Sequence, residues 1–162
     1  MSATATTTSV AQTQQLAARL ATACEAGDLV VLVGGLGAGK TRFSQGFAAA
    51  LGVEGPVTSP TFTLLRQYPL EGQRAAELLH ADLWRLEHEA ELSQLAIPEL
   101  LEDRAIALIE WGERAGEAFG RDRIVVTITT GPGDDDRSLE LEVLGASLAA
   151  RREALEALWR VA

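Results

Sequence analysis

The sequence predicts an α/β fold: an open sheet with a parallel core and antiparallel additions, and helices on both faces. Three observations lead there. The run "LVVLV" at 29–33 is short and wholly apolar, as buried parallel strands are, and helical patterns flank it. The run "AIALIEW" at 105–111 is a second of the same kind. Late in the chain, "RIVVTITT" and "RSLELEVLG" alternate apolar and polar residues around "GPGDDD", the pattern of an antiparallel hairpin.

The elements follow in order. Residues 1–8 are small and polar and are expected to be a disordered N-terminus, leaving 9–162 as a single domain. Ser9 and Gln12 form an S-x-x-Q capping box, after which Val10, Leu16, Ala17, Leu20 and Cys24 recur at helical spacing and Gly27 suits the stop. The 29–33 strand comes next, then glycines, then "RFSQGFAAALG", a helix ending at Gly52. Residues 57–68 are rich in threonine and β-formers, with Pro60 where a strand begins or bends. "PLEGQR" is a turn and "AELLHADLW" a returning strand. Between Glu87 and Asp103 an acidic helical stretch is interrupted by Pro98, which starts a second short helix. The 105–111 strand, the hairpin and a last helix over 147–159 complete the chain, with no repeats and no linker.

The bulk numbers exclude several classes. The 162 residues suffice for one well-buried core. A formal net charge of -9 argues against a protein that grips nucleic acid by its phosphates, so DNA is not expected as a partner. A lone cysteine allows no internal disulfide. No apolar run approaches the roughly 20 residues of a membrane span, and the opening lacks a signal peptide's basic start, so no membrane partner and a cytoplasmic location are expected.

All of the chain's 14 basic side chains are arginine except Lys40, which sits in "GGLGAGKT", 34–41. Gly34, Gly39, Lys40 and Thr41 complete the spacing G-x-x-x-x-G-K-[ST]. Glycines let the backbone fold into a nest whose N–H groups face phosphate oxygens, and the following helix adds its positive end. Thr41 offers a hydroxyl to Mg²⁺, while Lys40 reaches the β- and γ-phosphates. A compact ammonium on a thin stem can thread such a loop where arginine's planar fork cannot. The alternative is a glycine-rich turn carrying a chance G-K-T, against which the buried strand before it and the helix after it weigh. The fold expected is therefore P-loop NTPase-like. The N-K-x-D motif of guanine recognition needs an asparagine, and the chain has none, which favours ATP. Two carboxylates, Asp82 and Glu110, stand at the ends of apolar strands, where an open α/β sheet faces its ligand. Each could serve the metal and the attacking water, or be a solvated charge at a strand end. His80 shares the strand face of Asp82 and reads as a packed strand histidine or an orienting group for that carboxylate. Arg85 reads equally as a charge-stabilising group and a surface ion pair.

Taken together, "GGLGAGKTRF", "VTSPTFTLL", "HADLWRL" and "IALIEW" resemble, in order and spacing, the signature blocks of the TsaE (YjeE) family, ATPases of bacterial tRNA threonylcarbamoyladenosine formation. The resemblance runs from about residue 13 to 137. It implies that Gly35, Leu36, Gly37, Ala38, Gly39, Lys40 and Thr41 bind the phosphates of ATP, with Thr41 and Glu110 on Mg²⁺. It implies catalytic roles for Lys40, Asp82 and Glu110. Ser59, Pro60 and Thr61 would form a switch-like segment. Arg42 and Trp111 would sit at the site, and Thr13 and Arg137 match weaker family positions near the nucleotide. The partner implied is the TsaB–TsaD complex, which this ATPase would cycle, with tRNA met only indirectly. Gly35 stands where the family usually has aspartate, Trp84 where tyrosine is usual, Gly112 where proline is common and Arg42 where threonine is frequent. A small-molecule kinase and a non-hydrolysing ATP-dependent adaptor share the P-loop and remain the alternatives.

Overall fold

The computed structural model describes residues 2–58, 64–72 and 74–160. Seven strands form one sheet in the order β1-β7-β6-β2-β5-β4-β3. Its core is parallel: β2 (Leu29–Val33) lies between β5 (Ala105–Glu110) and β6 (Arg123–Thr130), and β4 (Glu77–Asp82) pairs with β5. Both margins are antiparallel. On one side β6 pairs with β7 (Arg137–Leu144) and β7 with β1 (Ser2–Thr7), and on the other β3 (Leu65–Pro69) pairs with β4. Pro69 sits in an edge strand, where a missing N–H costs no ladder bond.

The two faces follow from the period of a strand. Val30 and Leu32 of β2, Leu78 of β4 and Ile106 and Leu108 of β5 point to one side. There they meet α1 (Val10–Ala23), α2 (Lys40–Ala50) and α5 (Arg152–Arg160). Leu29 and Val31, Leu79 and Ala81, and Ala107 and Ile109 point to the other, under α3 (Ala90–Gln94) and α4 (Ile97–Glu102). The apolar runs show no alternation because both faces are covered. On α2, Phe43 and Phe47 stand four residues apart and are fully buried, each contributing about 1.5–3 kcal/mol by removal from water. The same parity puts His80 and Asp82 of β4, and Glu110 of β5, on the α2 side.

Residues 2–7 correct one expectation. They are an edge strand, with Ala3, Ala5 and Thr7 turned inward and Ser2, Thr4 and Thr6 outward. Alanine and threonine alternate here with a strand's period, but so little apolar contrast separates them that the stretch reads as bland polar sequence. The buried hydroxyls of Thr7 and Thr13 lie 2.7 Å apart, tying β1 to α1. At the start of α1, Ser9 Oγ accepts from the Gln12 N–H at 3.1 Å, and the Gln12 side-chain Oε1 reaches one residue further back, accepting from the Thr8 N–H at 2.7 Å. Pro98 falls in the first turn of α4, where its missing N–H has no intrahelical partner to lose. The last helix begins later than expected, with a 3₁₀ turn over Ala149–Arg151 preceding α5.

Candidate nucleotide site

The loop 34–39 leaves the end of β2 and feeds α2 at Lys40. Three of its glycines are there for separate reasons. Gly37 and Gly39 take φ of 78° and 104°, in the left-handed region that side chains avoid. At Gly34 a Cβ would lie 2.6 Å from the Ile128 carbonyl oxygen, so the loop can start only with glycine. Gly39 caps α2 without a side-chain hydrogen bond, and the first turn holds no acidic residue. The positive helix end is thus left to an anion from outside.

Lys40 is 6% exposed, with its ammonium folded back on the loop: Nζ donates to Gly34 O at 2.6 Å and Gly35 O at 2.7 Å. It also stands 3.8 Å from the centre of the Trp111 ring. Burial lowers its pKa below the ordinary lysine value, opposed by the carboxylates of Glu110, Glu113 and Asp82. Trp111 reaches this position from a left-handed backbone at φ 58°, immediately after β5. Its ring packs on Trp84 at 4.5 Å between centroids, and the Arg114 guanidinium lies 5.4 Å from the Trp84 ring. Gly112 has no room for a Cβ, which would overlap Val31 Cγ1.

The carboxylates converge from adjacent strands. Asp82 and Glu110 are register partners at the carboxyl ends of β4 and β5. The Thr41 hydroxyl donates to Glu110 Oε1 at 3.2 Å. Glu110 Oε2 is 3.0 Å from His80 Nε2, and both residues are 1% exposed. His80 therefore meets Glu110, not the Asp82 carboxylate named from the sequence. Asp82 Oδ1 accepts from the Trp84 N–H at 2.9 Å.

A cleft of about 450 Å³ runs over these groups. Its lining brings together most of the residues singled out from the sequence: Leu36, Gly37, Gly39, Lys40, Thr41 and Arg42 of the loop and α2, with Asp82, Glu110, Trp111 and Arg137 facing them. Arg137 reaches over from β7: its Nε donates to Ala38 O at 2.7 Å, and its Nη1 to the carbonyls of Asp134 at 2.7 Å and Asp136 at 2.8 Å. One side chain thus bolts the hairpin turn to the loop 34–39. Thr13 is not in the lining; it is 3% exposed with its hydroxyl against Thr7, and Val10, one turn earlier, faces the cleft instead. Ser59, Pro60 and Thr61 lie outside the described residues. Sequence reasoning missed Val10 and Asp135 as lining residues. Asp135 was legible only as part of a turn-forming acidic run, and Val10 only as a core position.

The donor set fits MgATP. A helix start with no side-chain cap and no acidic residue in its first turn suits phosphates, and a hydroxyl with a carboxylate 3.2 Å away suits a hard divalent cation. Among the described residues no helix is long and apolar enough to cross a membrane.

Comparison with known proteins gives a consistent result. The family model described as "Threonylcarbamoyl adenosine biosynthesis protein TsaE" matches residues 7–139. A tRNA threonylcarbamoyladenosine biosynthesis protein TsaE from Bacillus subtilis is 34% identical over 134 residues, covering 83% of this chain and 81% of the relative. Its counterpart in Streptomyces coelicolor is 42% identical over 122 residues, covering 75% and 81%. The crystal structure of Bacillus subtilis YdiB superposes with a TM-score of 0.74 at 28% identity, covering 99% of this chain and 96% of that one.

Proposed function

The chain belongs to the TsaE family of tRNA threonylcarbamoyladenosine biosynthesis proteins, and from that premise we propose that it is a Mg²⁺-dependent ATPase that cycles the TsaB–TsaD complex. The observation that carries the reading is the meeting of Lys40, Thr41 and Glu110 at the end of one glycine loop. Lys40 is held 2.6 and 2.7 Å from two loop carbonyls and exchanges them for β- and γ-phosphate oxygens. The loop amides and the start of α2 take the remaining phosphate charge. Thr41 and Glu110 hold Mg²⁺, which when bound neutralises phosphate charge and polarises the γ-phosphoryl group. Asp82, fixed through its bond to the Trp84 N–H, orients the attacking water beside the γ-phosphate. Arg137 keeps the loop closed from the hairpin side.

Support for a protein partner comes from the mouth of the cleft. Leu36 is 82% exposed and Trp84 44%, the two large apolar side chains that the described surface leaves in water, and both line the nucleotide cleft. A partner covering them would bury apolar area and sense the nucleotide at the same time. tRNA enters indirectly, through that partner, in keeping with the net charge of -9.

The test is ATP hydrolysis by the purified chain, alone and with a TsaB–TsaD pair. Slow turnover alone that rises at least tenfold with the pair is expected. Unchanged turnover with intact ATP binding would refute the partner-cycled ATPase and leave the adaptor. Phosphate transfer to a small metabolite without the pair would establish the kinase.

A further inference from the structure

His80 is an outlay that packing alone does not explain. It occupies a buried position on the α2 face of β4, two residues beyond Leu78, where an aliphatic side chain would fill the space. Its Nδ1 is buried and makes no hydrogen bond. A ring with one nitrogen left unsatisfied is a liability in a core unless the other nitrogen compensates. That other nitrogen, Nε2, is 3.0 Å from Glu110 Oε2. Glu110 in turn offers Oε1 to Thr41 at 3.2 Å. The chain of contacts Thr41–Glu110–His80 therefore runs from the first turn of α2, through the end of β5, into the interior beside β4.

We propose that His80 is a positioning residue, which grips Oε2 of Glu110 so that Oε1 stands toward Thr41 as a preset Mg²⁺ ligand. This rests on the reading of Glu110 as a metal ligand. The physical reason lies in the carboxylate's last torsion, which is broad and roughly two-fold and on its own would let the oxygens swing. The bond from His80 to Oε2 holds the buried side of the carboxylate, the side away from Thr41, before the ion arrives. A carboxylate ligand held from behind by an outer group is how metal sites gain affinity, and loss of such a group typically costs about 10- to 100-fold in metal binding or activity. A carboxylate oxygen accepts, so in this bond the ring donates from Nε2, and in the neutral ring that tautomer leaves Nδ1 without hydrogen. That is the nitrogen found without a partner.

The experiment compares the full chain with His80→Leu and His80→Gln. Leucine keeps the volume and removes the donor; glutamine restores an N–H. ATP binding is titrated calorimetrically in EDTA and in Mg²⁺, so that the metal-dependent gain in affinity is read apart from turnover. In EDTA all three should bind alike. In Mg²⁺ His80→Leu should lose about tenfold or more of the gain, and His80→Gln should recover most of it. Equal gains in parent and His80→Leu would overturn the proposal, as would equal losses in both variants. A parent whose affinity ignores Mg²⁺ would remove the metal role of Glu110 itself, a different failure from that of His80. A second readout needs no variant to fold. The chain has two histidines, His80 and the exposed His88, and a long-range ¹H–¹⁵N spectrum distinguishes ring tautomers. Hydrogen on Nε2 of His80 is expected; hydrogen on Nδ1 alone would overturn the assignment.

Discussion

Replacing Lys40 tests the phosphate site most directly. The ammonium starts satisfied, by two carbonyls at 2.6 and 2.7 Å and the Trp111 face at 3.8 Å, so its share of ATP affinity is an exchange and not a bond made from nothing. Charge-assisted hydrogen bonds are roughly twice as strong as neutral ones, and a bond involving a charged group is worth about 1.5–3 kcal/mol. The resting bonds are already charge-assisted from the lysine side, so what the exchange adds is the attraction of the ammonium for the phosphate's negative charge, taken as about 1.5–3 kcal/mol. Lys40→Ala should weaken ATP binding about 10- to 150-fold. The fold should survive, because the loop carbonyls border an open cleft where water can replace the ammonium. The lost cation–π contact is worth about 0.5–1 kcal/mol and would move the melting temperature by only about 1–4 °C. Lys40→Arg should not rescue binding, since a planar guanidinium does not fit where a 6%-exposed lysine threads between Gly34, Gly35 and Trp111. Calorimetric titration with ATP and a thermal melt of each variant decide the matter. An alanine variant binding within about twofold of the parent would refute the phosphate reading, and an arginine variant of full affinity would refute the argument from shape.

Other outcomes follow from the same geometry. Asp82→Asn keeps an oxygen to accept the Trp84 N–H, so ATP binding should hold while steady-state turnover falls by about 10²-fold or more; unchanged turnover would take Asp82 out of the chemistry. Gly35→Asp restores the residue usual in the family, and a Cβ there meets nothing within 4 Å; the melting temperature should not fall, and any change in turnover would then measure what the carboxylate does. Cys24 is fully buried, and burial, with the Asp28 carboxylate adding to it, pushes its thiol pKa far upward. Above the ordinary thiol pKa of about 8.5 the unfolded chain gives up a proton that the folded chain keeps, so this group's contribution to stability falls by about 1.4 kcal/mol per pH unit. Denaturant melts of Cys24→Ala between pH 8 and 10 should lose that part of the slope, and parallel slopes for parent and variant would refute the account.

The sequence by itself determined the elements whose signals are local. The apolar run 29–33 is β2 to the residue, the hairpin residues pair as the alternation implies, and Pro98 opens α4. The loop was equally legible, since its glycine spacing and lone lysine answer to backbone φ and to the room around one ammonium. Charge in the wrong place for a strand interior marked Asp82 and Glu110. Tertiary structure decided what depends on neighbours far along the chain. Residues 2–7 become a strand only because β7 offers a free edge and the buried face needs side chains as small as Ala3 and Ala5. Thr13 turns to Thr7 because β1 runs beneath α1, which leaves Val10 at the cleft. His80 meets Glu110 across two strands, a diagonal that strand periodicity within β4 could not reveal. Local periodicity is written in sequence separations of two to four residues. The site is assembled from loop, strand ends and hairpin up to a hundred residues apart, as in the bond from Arg137 to Gly37, and only the packed sheet brings them within hydrogen-bonding distance.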